Sequence, residues 1–401
     1  MALELQHDPF KTPREIEHPL LYWVHKNLFS SALNTALTLL SLTILYLLVT
    51  KSLIPLFSWD WTVISANLKL ILTGSYPMDQ LWRVWFCLWY AALFFGLTFS
   101  MNRTRPPKVM YLILISILLL ALLNFSLFNK VSMLATALLL FVSFFVGTQL
   151  AQQKKTIMVA GGWILLLPLS FFIIRGVGGF LPVVKTNLWG GLLLSLLISL
   201  TSIFLSLPIG LMLALGRRSS MKVVKSICIF LIETIRGVPL ITILFIGYLI
   251  LPMALPQGWS PSVFIRALTG VVMFHSAYMA EALRGGLQGI SRTQYEAATS
   301  LNLGPTKTMA FIILPQVLKR MIPVLVNSFT SALKDTSLIS IIGMLDLIGI
   351  STSIVSNPKY LSGSAQVLFF EGALYFVLCF SISKASMVLE KKLGVTGNIK
   401  K

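Results

Sequence analysis

The chain has 401 residues, of which 56% are hydrophobic and only 11% charged, with a formal net charge of +19. Soluble domains carry nearer a quarter charged residues, so a soluble globule is excluded and an all-α, polytopic membrane protein is expected. The basic residues fall in short clusters between apolar runs, where they orient spans and meet anionic lipid. No basic face is left free of the bilayer, which argues against nucleic acid as a partner.

Residues 1–28 carry Glu4, Asp8, Glu15 and Glu17 ahead of the first apolar run, and read as a cytoplasmic N-terminus rather than a cleavable signal peptide. A span needs about 20 apolar residues, and that ruler predicts about ten transmembrane helices. Five lie in the first half, near 29–50, 81–100, 109–128, 131–150 and 156–175. Five follow, near 188–215, 238–255, 262–283, 321–343 and 366–387. The short join at 129–130 predicts a tight antiparallel hairpin, and Trp59, Trp61 and Tyr76 suit an aromatic belt at the outer interface.

Alternate loops differ in charge. One set holds clusters such as Arg103, Arg105 and Lys108, then Arg217, Arg218, Lys222 and Lys225, whereas the other keeps only Lys51, Lys69, Lys130, Lys185 and Lys359. Lys and Arg accumulate on the cytoplasmic side, so both termini are expected there. Glycine and proline punctuate the helices after about residue 186 and are sparser before it. The chain therefore divides into a cytoplasmic N-terminus (1–28), an extension of about five spans (29–185), a working core (186–390) and a cytoplasmic tail (391–401).

Residues 222–256 are too long for one span: a single helix would measure about 52 Å against a hydrocarbon core of about 30 Å. A break is predicted at Gly237 and Pro239. Before it, Val223, Ile227 and Phe230 alternate with Lys222, Lys225 and Glu233 as in a helix lying on the inner membrane surface. Residues 305–319 are expected at the same interface, ahead of the span that starts at Met321.

The stretch from Ser291 to Pro315 is a polar island between apolar segments. Ser291 and Gln294 read as a capping box, and Ile290 can staple onto Tyr295. The helix they start should stop near Asn302, which tolerates the left-handed turn that closes helices. Gly304-Pro305 then suits the first turn of a second helix.

Glu296-Ala297-Ala298, followed by Ile312, Leu314 and Pro315, resembles the EAA loop of ABC-importer permeases, a coupling loop placed here at 285–320. The family usually has Gly where this chain has Asn302. The resemblance implies a cytoplasmic helix pair docked into an ATPase, with Tyr295, Glu296, Ala297, Ala298, Leu301, Asn302 and Gly304 forming the coupling surface and Ala297, Ala298 and Leu301 its buried contact. Without the motif, Glu296 would be a solvated acid on a surface helix. Arg236-Gly237-Val238-Pro239-Leu240, Tyr278-Met279-Ala280-Glu281 with Arg284-Gly285-Gly286, and Lys334-Asp335-Thr336-Ser337-Leu338 with Gly343 resemble the polar amino-acid importers of the histidine and glutamine type. In layout and length the chain is similar to the long M-type permease. That family implies a five-helix type I core, a second permease as heterodimer partner, two ATPase subunits that bind ATP and Mg, a periplasmic amino-acid-binding protein, and the bacterial inner membrane.

An amino-acid zwitterion in a low-dielectric path needs a cation near its carboxylate, an anion near its ammonium and donors that replace water. Lys334, Asp335, Thr336, Ser337 and Ser340 offer that set, and His275 and Glu371 within spans are further candidates for the path. The other reading of Lys334-Asp335 is a pair that ties helices together, and for His275 a satisfied buried imidazole. Glu233 with Arg236, and Glu281 with Arg284, are three apart and read as local ion pairs. With Gly237 and Pro239 they shape the inner end of the path.

No G-x-x-x-x-G-K-[ST] phosphate loop occurs, so this chain does not hydrolyse ATP itself. The four histidines have no metal-ligand spacing, and the three cysteines form no zinc or disulfide pattern. No cofactor in this chain is expected. The rival reading, an ion-coupled secondary amino-acid transporter, would need midplane ion ligands and commonly an inverted repeat, and neither is evident.

Overall fold

The computed structural model describes residues 19–53, 56, 58–101, 105–121, 126–150, 152–256 and 258–393. Most of the expected N-terminal segment, the end of the tail and Arg103 lie outside the described residues. Among the described residues all regular structure is helical, apart from an isolated bridge between Gly191 and Asp346.

The chain forms two compact units, Met1–Trp61 and Thr62–Lys401. In the first, α1 (Pro19–Leu28) leads to α2 (Ala32–Leu48). Ser31 caps α2 by accepting from Asn34 N–H at 3.2 Å, and Thr38 Oγ1 donates to Leu28 O at 2.7 Å. No residue of α2 is buried, and a helix apolar on every side belongs in lipid.

The second unit opens with α3 (Thr62–Thr73), followed by α4 (Leu81–Ser100), α5 (Lys108–Ala121), α6 (Leu127–Gln149) and α7 (Gln152–Arg175). Then come α8 (Gly191–Arg217), α9 (Lys222–Arg236), α10 (Leu240–Ala254), α11 (Val263–Gln288), α12 (Arg292–Ser300), α13 (Pro305–Ile342), α14 (Leu347–Val355) and α15 (Ser364–Leu393). Among the described residues eight helices are long and apolar enough to cross a membrane, nine when the bent pair α9–α10 counts as one span. The tenth expected stretch, 109–128, is represented by the shorter apolar helix α5, and 122–125 lie outside the described residues. Helices α5 and α6 pack on each other, but α6 starts at Leu127 rather than after 130, because Ser126 caps it through Asn129 N–H at 3.4 Å.

Three further expectations change. Helix α3 was not anticipated, because twelve residues fall short of a span; it buries Val63, Ile64 and Ile71 and packs on α8, α14 and α15. Tyr76 is fully buried rather than part of a belt, and its hydroxyl donates to Ile174 O at 2.8 Å. Residues 305–319 are not a separate interfacial helix but run on into the span as one helix, with a π stretch at Thr308–Ile313. The break at Gly237–Pro239 is where the spacing predicts it, with α9 and α10 bent by 107°.

The core is built on α8 against α11. Ser195, Ser199, Ser202 and Ser206 are fully buried along α8, and each hydroxyl donates to a carbonyl one turn back. Small residues let helices approach closely where lipid supplies no hydrophobic drive. At Gly210 a β-carbon would stand 2.8 Å from Met279 Cβ. An aromatic cluster of Phe171, Trp189 and Phe264 joins α7 and α11 with the segment leading into α8. A second apolar cluster, with Ala214, Ile232, Met279, Leu283, Leu287, Ile290, Ile313 and Val317, lies at the other end, under α12.

Candidate functional site

Helix α12 and the start of α13 form the bent pair that the polar island predicts. Ser291 caps α12, but by accepting from Thr293 N–H at 3.3 Å. The expected capping box is not made, because Gln294 is drawn away: its Oε1 accepts from Gln316 Nε2 of α13 at 3.1 Å. Ile290 and Tyr295 share the apolar cluster beneath the loop, as a staple requires. The helix ends at Asn302, the one non-glycine residue with positive φ (+54°) among those described. Around it, Leu301, Asn302 and Leu303 N–H donate to the carbonyls of Ala297, Thr299 and Ala298 at 2.9–3.1 Å. These bonds consume the orphan carbonyls of the last turn. Gly304 is extended, and Pro305 opens the next helix.

The presented face is Glu296, Ala297 and Leu301, with Leu301 74% exposed. Ala298, expected in a partner contact, points into this chain and is 1% exposed. It fixes α12 to its own chain, where the helix packs on the Thr308–Ile313 stretch of α13. Glu296 Oε1 is 3.5 Å from Arg292 Nε, both well exposed, a surface pair that stabilises the helix little. A shallow depression lined by Arg292, Tyr295, Glu296, Thr299 and Ser300 runs along the helix.

The expected pairs Glu233–Arg236 and Glu281–Arg284 both form, and further contacts join them across helices. Glu233 and Arg236 stand 4.0 Å apart, a weak contact, and both reach across to other helices. Arg217 Nη1 of α8 is 2.9 Å from Glu233 Oε1 and 3.3 Å from Glu281 Oε2, and Arg236 Nη1 is 3.6 Å from Glu281 Oε2. Arg284 Nε donates to Glu281 Oε1 at 2.9 Å, with a second bond from Nη2. Arg217 escaped the sequence reading because its partners lie 16 and 64 residues away, with no local spacing to flag it.

The path candidates separate into two groups. Lys334 is exposed, and Asp335, Ser337 and Ser340 are half-buried, at the point where α13 tightens into a 3-10 stretch from Thr336 to Ile342. Thr336, His275 and Glu371 are sealed within this chain, at 0%, 4% and 5% exposure. His275 Nε2 lies 3.5 Å from Asp335 Oδ2, so two candidates sixty residues apart meet across α11 and α13. Glu371 of α15 lies beside Ser351, and Tyr375 beside Thr336 and Ser195.

That second cluster centres on Asp346, a residue the sequence reading passed over although an Asp before an apolar run is a cap signal. Its Oδ1 accepts from Gly349 N–H at 2.9 Å, while Oδ2 is buried without a hydrogen bond. Burial pushes the carboxyl up to about 6, and the Glu371 carboxylate adds to this, against the Gly349 and Ile348 N–H groups. The folded-state value exceeds the ordinary one near 3.9. Protonated Asp346 therefore contributes stability that is complete below about pH 4 and lost as pH rises through 6, roughly 3 kcal/mol over that window. Thermal unfolding of the detergent-solubilised chain should show this component between pH 4 and 7, and Asp346→Asn should flatten it. An equal pH slope in both proteins would contradict the assignment.

Residues 206–394 match the family model described as binding-protein-dependent transport system inner membrane component. The chain is 35% identical, over 95% of its length and 96% of the relative's, to the inner membrane amino-acid ABC transporter permease protein YhdY of Escherichia coli K12. It is 34% identical, over 92% and 93%, to the glutamate/glutamine/aspartate/asparagine transport system permease protein BztC of Rhodobacter capsulatus. A shorter relative, the probable glutamine ABC transporter permease protein GlnP of Bacillus subtilis, is 36% identical over 51% of this chain and 92% of its own length. Among solved structures, one titled as an amino acid ABC transporter with histidines is similar at 31% identity, covering 49% of this chain and 90% of that one, with a TM-score of 0.45.

Proposed function

Because this chain belongs to the family of binding-protein-dependent transport system inner membrane components, the permeases of ABC importers, we propose that it carries amino acids into the cell as one half of a transmembrane pair. Acidic amino acids and their amides are the favoured substrates, the group named for its long relative BztC. Its partner is a second, related permease. Two ATPase subunits, which bind ATP and Mg, dock on α12, and a periplasmic binding protein delivers substrate at the opposite end. Both termini and α12 face the cytoplasm of the bacterial cell, in line with the Lys and Arg distribution. Residues 186–390 form the transporting core and 29–185 an added bundle.

The observation that carries this reading is the bent pair α12–α13, which holds Glu296, Ala297 and Leu301 outward on a helix whose other face is anchored by Ala298. ATP-driven closure of the ATPases would push this helix and switch the core between outward and inward access. Lys334 and Asp335 would meet the carboxylate and ammonium of the passing zwitterion, with Ser337 and Ser340 replacing water. Thr336, His275 and Glu371 support that segment from behind.

Co-expression with the ATPase and the partner permease, followed by uptake of radiolabelled L-glutamate and L-glutamine into proteoliposomes, tests the proposal. Glu296→Lys should keep the chain in the membrane yet lower uptake at least tenfold, and undiminished transport would refute docking through α12. Lys334→Met and Asp335→Asn should each lower uptake tenfold or more, and normal uptake in both would remove the path reading.

A further inference from the structure

We propose that Glu281 is the joint through which the docking helix moves the bent α9–α10 element, with Arg217 and Arg236 as its two arms; this rests on the docking reading of α12. Helix α11 is unbroken from Val263 to Gln288, and α12 begins at Arg292, so Glu281 stands two turns before the end of α11 and a three-residue link from the helix the ATPase grips. Helices are stiff along their axis, and a displacement of α12 is delivered to Glu281 with little loss.

At Glu281 one carboxylate meets three guanidinium groups from three helices. Arg284 belongs to α11 itself, Arg217 to the end of α8 and Arg236 to the end of α9. Glu233 is the only other acid in the set, so three cations share two anions. Glu281 keeps its local partner Arg284 through Oε1, and its other oxygen, Oε2, is the one held across helices by Arg217 and Arg236. Arg236 is gripped by α11 at a second point, its guanidinium 5.7 Å from the Tyr278 ring, one turn before Glu281. The residue after Arg236 is Gly237, where the 107° bend begins. Arg236 is thus the last fixed point before the hinge.

The apolar cluster below, with Ala214, Ile232, Met279 and Leu283, packs the same three helices. Apolar packing is non-directional and tolerates sliding. Charge pairs with fixed geometry set register. The four side chains around Glu281 are between a fifth and a third exposed, apart from the half-exposed Glu233. They are partly screened but not sealed, which suits contacts that exchange partners between two states.

The test uses the complete complex with its binding protein and compares the wild-type chain with Glu281→Gln, Glu281→Asp and Arg217→Met, reading assembly, ATP hydrolysis and radiolabelled amino-acid uptake. Glu281→Gln should assemble, keep hydrolysing ATP, and transport at least tenfold fewer amino acids per ATP. Its ATPase stimulation by loaded binding protein should fall at least threefold. Arg217→Met should lie between, and Glu281→Asp should recover part of the coupling. A wild-type transport-to-ATP ratio in Glu281→Gln overturns the proposal. So does loss of assembly in Glu281→Gln while Arg217→Met couples normally, since the carboxylate would then serve only as structure. Failure of the docking reading is separate: it would appear as full transport by Glu296→Lys, whatever Glu281→Gln does.

Discussion

Asn302→Pro should abolish coupled uptake while leaving the chain in the membrane. Asn302 sits at φ +54°, and proline is locked near −65°, so the bend between α12 and α13 cannot keep its shape. Proline also lacks the N–H that Asn302 donates to Thr299 O at 2.9 Å. It further pushes the preceding residue out of helical geometry, and Leu301 lies at φ −85°, ψ 10° as the cap of α12. The three effects fall on the same turn and together cost about 3 kcal/mol or more locally. They swing Glu296 and Leu301 away from where Ala298 and the Gln294–Gln316 bond hold them. Because α12 is exposed and short, the spans still insert. Membrane levels should stay within twofold of wild type, with uptake at least tenfold lower and ATPase co-purification weakened. Asn302→Gly is the control: glycine takes positive φ without a Cβ penalty, so uptake should stay within twofold. Normal transport by the proline variant would mean that the bend does not position the docking surface.

Gly191→Val should prevent accumulation of the folded chain. Gly191 is at φ +57°, and a β-carbon there would stand 2.1 Å from Ile71 O and 2.7 Å from Ile71 C. The obstacle is backbone, so no side chain can rotate aside. Its own N–H donates to Leu345 O at 2.9 Å, and next to it Gly190 packs on Gly74 backbone to backbone. A β-branched residue in this conformation adds strain to the overlap, roughly 5 kcal/mol or more in total. Three segments meet at this point, the end of α3, the start of α8 and the turn into α14, and the valine forces them apart. Fluorescence-detected size exclusion of the membrane-extracted protein should show the folded peak reduced at least tenfold. Gly161→Ala, where a β-carbon meets nothing within 4 Å, should match wild type. A normal peak for Gly191→Val would contradict this packing.

What was legible in the sequence follows from rules that act along the chain. Lipid forces apolar runs of a set length, so most spans could be placed to within a few residues, and Gly237-Pro239 could be read as a break. Local capping made α12, its end at Asn302 and the restart at Pro305 readable, since each involves residues within five positions. Family motifs then imply docking for Glu296 and a path for Lys334-Asp335.

Other features required the folded chain. A short helix such as α3 leaves no span-length signal, because its stability comes from packing on α8 and α14 rather than from its own length. Tyr76 looked interfacial, yet its hydroxyl finds a carbonyl 98 residues away. Glu281 with Arg284 matched a local pair, whereas the network that joins Glu281 to Arg217 and Arg236 is long-range. The inward turn of Ala298, the sealing of Thr336, His275 and Glu371, and the meeting of Asp346 with Glu371 depend likewise on which helix faces lie together. Sequence by itself determined where the chain must be apolar and where it must bend, because bilayer thickness and backbone geometry constrain each segment separately. Only the tertiary structure decided which charges meet and which are buried, because Coulomb and packing forces act through space between residues that sequence distance does not relate.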